Sequence, residues 1–194
     1  MTNFEVLQHI IRNRRSSKPA LMNGKKIEDS VINELLELAD WAPTHGHTEP
    51  WRFVVFGGDK VKQFCNDHAE LYKANTPEEK FMTATYDKLQ HQGDSLSHIL
   101  LVYMKRGNNP KIPVLEEIAA VSCAVENLLL GASSLGIAAL WGSGGMTHQP
   151  AMKNYLSLAE EDIVMGILYL GYTDENTIKE GKRIISITEK VTWK

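Results

Sequence analysis

The spacing of apolar residues along the chain predicts an alternation of helices and strands. From Val114 to Leu135 apolar side chains recur at intervals of four and three, which predicts one long buried helix that Gly136 ends. Runs rich in β-branched, aromatic or aliphatic residues predict four strands, at residues 51–56, 97–104, 137–141 and 163–170. Shorter helices are predicted at residues 3–13, 28–41, 59–94 with a new start at Pro77, and 149–158. This mixture predicts an α+β fold.

The long predicted helix carries a second face of small side chains. Small residues let another backbone approach closely, so the helix is expected at the centre of either the core or a dimer interface. Both interpretations stay open on the sequence. The small residues are Ala119, Ala120, Ser122, Cys123, Ala124 and Ser133.

Composition narrows the classes of protein to which the chain can belong. Its 194 residues, 43% hydrophobic and 23% charged, predict a single domain over residues 1–194. The net charge of −3 without a basic run disfavours a nucleic-acid surface and a basic membrane-surface helix. No stretch approaches the roughly 18 apolar residues of a membrane span. The first residues resemble neither a secretory signal nor a transit peptide, so a cytoplasmic location is expected.

Two basic pairs are candidates for binding an anion. Arg14 and Arg15, followed by Ser16, supply two fixed cations and a hydroxyl donor, and an arginine fork matches two oxygens of a phosphate. Lys182 and Arg183 form a second pair near the end of the chain. Each pair is equally compatible with ordinary surface ion pairs or a solvated tail. The two cysteines, Cys65 and Cys123, are too few for a disulfide framework or a metal knuckle.

A second candidate segment runs from Ala42 to Phe53, between a predicted helix and a predicted strand. His45 and His47, with Glu49 nearby, have a spacing at which two side chains can ligate one metal ion. The same histidines can instead hydrogen-bond a planar heterocycle, or satisfy backbone groups of the loop. The sequence shows no further metal ligand beside them.

The third candidate segment is the glycine-rich run from Trp141 to Gly145, directly after a predicted strand. Glycines let a backbone lie against a ligand and donate amide hydrogens to it. The run is incomplete as a dinucleotide fingerprint, because the position of the third glycine is occupied by Thr147. It also lacks the first glycine of a nucleophile elbow.

Taken in order, these segments resemble the nitroreductase family of flavoproteins. The resemblance rests on a helix ending in Arg-Arg-Ser, on Ala-Pro followed by Pro-Trp-Arg-Phe, on the long apolar helix and on Trp-Gly-Ser-Gly-Gly. It spans nearly the whole chain, and the form Ala-Pro-x-His-x-x-x-x-Pro-Trp is similar to the small YdjA-like branch. The resemblance implies a sandwich with a mixed, mainly antiparallel sheet flanked by helices. It also implies a homodimer with two FMN molecules at the subunit interface.

The resemblance assigns roles to the basic residues. Arg14, Arg15 and Ser16 match the positions that hold the FMN phosphate, the ribityl chain and the pyrimidine edge. Arg183 matches a late basic residue near the phosphate.

The other two segments match positions around the flavin ring. His45 and Glu49 match loop positions that face the flavin, usually from the partner subunit, whereas Trp141, Gly142 and Ser143 match the segment beside the isoalloxazine.

The chain departs from many relatives in the loop, where Asn commonly stands in place of His47 and Gln in place of Glu49. An acid in place of an amide removes a donor near the flavin. Residues 65–95, where a substrate would be covered, carry no matching motif.

The implied function is an FMN-dependent NAD(P)H oxidoreductase. Such an enzyme takes a hydride from NADH or NADPH at flavin N5 and reduces a small conjugated acceptor, such as a nitroaromatic, a quinone or an enone, by ping-pong kinetics. No catalytic side chain is expected, because the cofactor performs the chemistry. Two alternatives remain: a flavin-binding protein without turnover, and a metal-dependent hydrolase using His45, His47 and Glu49.

Overall fold

The computed structural model describes residues 1–174 and 181–194, which form six α-helices and four strands. The strands are β1 (Trp51–Gly57), β2 (His98–Met104), β3 (Ala138–Gly142) and β4 (Ile163–Gly171). The helices are α1 (Asn3–Asn13), α2 (Asp29–Asp40), α3 (Asp59–Asn75), α4 (Thr83–His91), α5 (Val114–Ser134) and α6 (Pro150–Tyr155).

The four strands form one sheet in the order β1-β2-β4-β3, and every neighbouring pair is antiparallel. Within the described chain, parallel pairing is limited to an isolated bridge between Ser16 and Ala139 at the β3 edge. The predicted mainly antiparallel α+β fold is therefore confirmed. The register between β2 and β4 shifts next to Val102, where Met165 is the extra residue of a bulge followed by Gly166.

Helices cover both faces of the sheet, because alternate residues of the central strands point to opposite sides. On one face, α2 and α5 pack over Leu100, Val102 and Leu168. On the other face, Phe64 of α3 and its neighbours pack over Ile99, Leu101 and Ile167. Both central strands are buried on two sides, which explains their nearly continuous apolar sequences.

The predicted elements agree with the structure except in the middle of the chain. Residues 59–94 form two separate helices, and Pro77 precedes a 3₁₀ turn, Glu78–Lys80, instead of starting the next helix. The last predicted helix, at 149–158, ends at Tyr155 because the chain turns at Ser157, whose φ is +53°. The polar character of both regions hides these boundaries from an argument based on apolar periodicity.

Three apolar surfaces stay exposed on the single chain. Helix α1 has no buried residue, and Phe4 and Leu7 on its apolar side face solvent. On α5, Leu115, Ala119 and Cys123 form an exposed stripe at intervals of four residues. In the tail from residue 181 to 194, every residue is exposed, and the large apolar ones are Ile184, Ile185, Ile187, Val191 and Trp193. The sequence predicted that α5 is buried on two sides. The exposed stripe shows that a single chain buries only one of these sides completely.

Over residues 1–174 and 181–194, none of the helices combines the length and the apolar character needed to cross a bilayer.

Candidate functional site

The segment Arg14-Arg15-Ser16 leaves helix α1 and lies along the edge of strand β3. Its first residue, Arg14, already has an extended backbone, with φ −59° and ψ 128°. Ser16 forms the parallel bridge with Ala139, and the N–H of Ser17 donates to the Ala139 carbonyl over 2.9 Å. Strand β3 continues directly into the glycine-rich run. The structure therefore brings together two of the three polar segments.

A small cavity of about 60 Å³ lies beside the two arginines. The Nη1 atom of Arg15 donates to the Arg14 carbonyl over 2.7 Å, whereas Nε of Arg15 is buried without a partner among the described residues. The backbone of Gly181 lies so close that a Cβ there would stand 2.0 Å from Nη2 of Arg15. Arg15 is partly buried, and a buried donor atom such as its Nε is costly unless an acceptor reaches it. The arrangement suits an anion.

Arg14 already has an anionic neighbour, since its Nε lies 3.5 Å from Oε1 of Glu126 on α5. Both side chains are partly exposed, at 25% and 49%, so the pair contributes little stability. An incoming phosphate can replace this contact at small cost.

A second and larger cavity, of about 520 Å³, lies at the other end of this segment, beyond β3. Its walls include Lys18, Gly142, Gly144 and Gly145, together with residues of α4. This size is that of a small-molecule site. Tyr169 contributes an apolar wall, and burial raises the pKa of its hydroxyl, so it stays protonated. Neither Trp141 nor Ser143 lines this cavity.

A buried histidine holds the glycine-rich turn in place. Nε2 of His68 on α3 accepts the N–H of Met146 over 2.9 Å. Gly145 has φ +62°, and a Cβ there would stand 2.5 Å from Nε2 of His68. Only glycine fits at this position. His68 is fully buried, and burial lowers its pKa from 6.5 to about 4, so the ring is neutral and able to accept this bond.

The Trp141 side chain points away from the large cavity, into the sheet bulge. Its indole Nε1 donates to the Met165 carbonyl over 3.1 Å. Gly166 has φ +146°, and a Cβ there would stand 2.1 Å from the same nitrogen. The indole packs against the core cluster on the α5 face. Trp141 thus fixes the strand that carries Gly142 by filling the opposite side of the sheet.

The segment from Ala42 to Phe53 lies at the far edge of the sheet, before β1. Because β1 and β3 are three strand spacings apart, about 14 Å separates them. His45, His47 and Glu49 are all exposed, and His47 and Glu49 have positive φ values of 53° and 41°. Such values for residues other than glycine indicate a constrained loop.

Contacts to helix α5 define the position of this loop. Nδ1 of His45 lies 2.5 Å from Oε2 of Glu116. A Cβ on Gly46 would meet the side chain of Ile112 at 2.8 Å. Across residues 1–174 and 181–194 there is no cluster of three or more His, Cys, Asp or Glu side chains able to hold a metal ion.

Comparison with known proteins identifies the family. The sequence profile described as the Nitroreductase family matches residues 11–172. The chain belongs to the nitroreductase family. It is 31% identical over 174 residues to YfhC of Bacillus subtilis, a protein named for NAD(P)H nitroreductase activity, covering 88% of this chain and 86% of YfhC. YdjA of Escherichia coli K12, named in the same way, is 26% identical over 170 residues, covering 87% and 88%. The resemblance to the YdjA-like branch is thus confirmed at the level of the family.

Solved structures of the nitroreductase family have the same fold. A nitroreductase-like protein from Bacillus cereus superposes with a TM-score of 0.82 at 29% identity, over 100% of this chain and 98% of that one. A Desulfovibrio desulfuricans nitroreductase solved in complex with FMN superposes with a TM-score of 0.70 at 21% identity, over 97% and 96%. At 21% identity, the similarity to the Desulfovibrio desulfuricans structure shows a shared fold and nothing more specific.

Within this nitroreductase fold, the residues expected from the sequence fall into three places. Arg14, Arg15 and Ser16 adjoin Gly142 through β3. His45 and Glu49 lie at the opposite sheet edge, and Arg183 is exposed in the tail, two residues after the glycine that contacts Arg15.

Sequence reasoning missed Lys18 and His68. Lys18 carried a usable signal, because it lies two residues after Ser16 in an extended segment and therefore on the same side. His68 carried none, since it is one polar residue in a helix with weak apolar periodicity and faces a turn nearly eighty residues later.

Proposed function

We propose that this protein is an FMN-dependent NAD(P)H oxidoreductase that reduces small conjugated acceptors, such as nitroaromatics, quinones or enones. The observation that carries the proposal is the joining of Arg14-Arg15-Ser16 to the glycine-rich run through strand β3, with one cavity at each end. A cationic end and a glycine-walled end on one edge suit a ligand with a phosphate and a flat ring. Membership of the nitroreductase family and the FMN complex of a relative with this fold support the same cofactor.

The residues present fit FMN at both ends. At the phosphate end, Arg14, Arg15 and Ser16 would bind, since Nε of Arg15 is a buried donor in need of an acceptor. At the ring end, Gly142 and Gly144 leave room for a planar group, because no Cβ projects from their backbone.

FMN held by these residues would supply the redox chemistry, the transfer of reducing equivalents from NADH or NADPH to the acceptor. The side chains of this protein bind, orient and exclude water. Tyr169 stays protonated beside the large cavity and accepts a hydrogen bond from Nε2 of Gln92 over 3.4 Å. The Tyr169 side chain thus forms an uncharged part of the cavity wall.

We also propose that the protein is a homodimer in which His45 and Glu49 of one subunit face the flavin bound by the other. These residues precede β1, and three strand spacings, about 14 Å, separate β1 from β3 within one chain, so we expect a second copy to bring them to the ring. The exposed apolar surfaces on α1, α5 and the tail supply an interface of the kind that obligate dimers bury. Sedimentation at micromolar concentration is expected to show a dimer, and a monomer would contradict this arrangement.

Replacing Arg14 with Ala is expected to weaken FMN binding by about 1.5 to 3 kcal/mol, or more than tenfold, because a charge-assisted phosphate contact is lost. The affinity is measured by titrating apoprotein with FMN and following the quenching of flavin fluorescence. Arg12→Ala is the matched control, since Arg12 lies on the same helix, is exposed and lines neither cavity. Equal affinities for the two variants would refute the role of Arg14.

Turnover tests the enzymatic part of the proposal. Protein loaded with FMN is expected to oxidise NADH or NADPH, with faster oxidation when a quinone or a nitroaromatic is added. Stable FMN binding without any oxidation would instead support a flavin-binding protein that performs no catalysis.

A further inference from the structure

Unpaired positive charge lines the large cavity of the single chain. Lys18 and Lys88 belong to its wall, and neither ammonium group has a hydrogen bond or ion pair within the described parts of the chain. His91 also lines the cavity, but its Nδ1 lies 3.4 Å from the Asp94 carboxylate. The cavity lining that this chain itself contributes contains no acidic residue, although the chain as a whole has a net charge of −3. The positive charge is therefore local.

The position of Lys88 on α4 directs it to the cavity. Thr85, Lys88, Leu89 and Gln92 all line the wall, and their spacing of three, four and seven residues defines one face of a helix. Leu89 on this face is buried, with 6% exposure. Lys88 itself is exposed and lines the cavity next to this leucine, so its stem can cover apolar surface while its ammonium group stays solvated at the cavity wall.

The two lysines are expected to contact different ligands, one the cofactor and the other the second substrate. Lys18 follows Ser16 on the extended segment that leads from the arginines, so it belongs with the ring end of the cofactor. Lys88 lies on a different element, α4, which also lines the cavity. Its charge remains for a molecule that enters above the ring.

We propose, resting on the proposed function, that Lys88 determines specificity for acceptors that carry an anionic group, such as a carboxylate on a conjugated ring. The ammonium group would pair with this carboxylate while the apolar walls at Leu89 and Leu140 contact the ring. A phosphate of NADH or NADPH presents the same chemistry, so the experiment separates the two sources. Lys88 is exposed, so we expect an effect of about fivefold.

Binding of a matched pair of unreactive ligands tests the proposal without turnover. Benzoate and benzamide differ in charge but little in shape, and each is titrated into the oxidised FMN-loaded protein while the flavin absorbance is recorded. The wild type is expected to bind benzoate more tightly than benzamide. Lys88→Met is expected to weaken benzoate binding about fivefold and leave benzamide unchanged, whereas Lys88→Arg retains the preference. Lys60→Met, at an exposed site remote from the cavity, serves as the control.

Steady-state kinetics with a matched pair of acceptors, para-nitrobenzoate and para-nitrobenzamide, then separate the sources of the anion. In Lys88→Met, weaker saturation by the nitrobenzoate alone supports the proposal, whereas weaker saturation by NADPH or NADH alone assigns Lys88 to the nucleotide and overturns it. Equal loss for both acceptors, or no preference for benzoate in the wild type, would also overturn it. A drop in FMN affinity in Lys88→Met without a change in ligand preference assigns the lysine to the cofactor and overturns it too. Failure of the wild type to bind FMN refutes the proposed function itself and is recognised before any ligand is added.

Discussion

Replacing Glu117 with Ala is expected to lower the free energy of unfolding by about 3 to 5 kcal/mol, because it leaves a buried charge unpaired. The Glu117 side chain is fully buried in the first turn of α5 and pairs with Nη1 of Arg106, whose side chain is 13% exposed. Its other oxygen accepts the N–H of Gly107 over 3.0 Å. After the substitution the guanidinium of Arg106 keeps only the Ile112 carbonyl, at 2.8 Å from Nη2.

Urea denaturation at one fixed protein concentration measures this loss, since the stability of a dimer depends on concentration. Glu116→Ala is the neighbouring control, because Glu116 is exposed and pairs only with exposed His45, a contact that contributes about 0 to 1 kcal/mol. A loss for Glu117→Ala as small as that of the control would show that the buried pair does not hold α5 in place. Replacing Arg106 and Glu117 together by apolar residues is expected to recover much of the stability.

The buried ion pair also supports the loop that carries His45 and Glu49. A Cβ on Gly107 would meet Oε1 of Glu117 at 2.6 Å and the side chain of Thr48 at 3.2 Å, so the pair lies directly beneath this loop. Loss of the pair is expected to loosen the loop as well as the helix.

Acidification below pH 6.5 is expected to destabilise the protein through His68, by about 3 kcal/mol at most. The pKa of His68 falls from 6.5 to about 4 in the folded chain, because burial disfavours the imidazolium. Between these two values the unfolded chain binds the additional proton, so stability decreases as the pH falls from about 6.5 and levels off below about 4. A protonated ring also loses the acceptor that holds the N–H of Met146.

Denaturation curves between pH 4 and 8 check this expectation by comparison of variants. His68→Gln retains an acceptor for Met146 but does not titrate, so its stability is expected to vary less with pH than that of the wild type. The carboxylates titrate equally in both proteins and cancel in the difference. His9→Gln replaces an exposed histidine and is the control. Identical pH dependence of His68→Gln and the wild type would contradict a buried neutral imidazole.

Apolar periodicity predicted the helices and strands that are buried by other parts of the same chain. Strand β2 and helix α5 were located closely, because the single chain itself buries most of their apolar residues. Helix α1 shows the same amphipathic pattern but has no fully buried residue within one chain. The apolar side of α1 is exposed on a single copy of the chain. From the sequence alone, such a side cannot be distinguished from one that is buried in the core.

The candidate site was predictable where short segments carry their chemistry in order along the chain. Arg14-Arg15-Ser16 and the glycine-rich run were singled out this way, and the bridge between Ser16 and Ala139 shows how the fold brings them together. The orientation of Trp141 was not predictable, because it depends on the bulge at Met165 on another strand. His68 was hidden for the same reason, since its partner lies far away in sequence.

The visible absorbance spectrum of the purified protein tests the central claim most directly. The purified protein is expected to be yellow, or to become yellow when the apoprotein is loaded with FMN, and to retain the flavin through gel filtration. Addition of NADH or NADPH without oxygen is expected to bleach this absorbance, and a quinone or a nitroaromatic is expected to restore it. A colourless protein that cannot be loaded with FMN would contradict an FMN-dependent function.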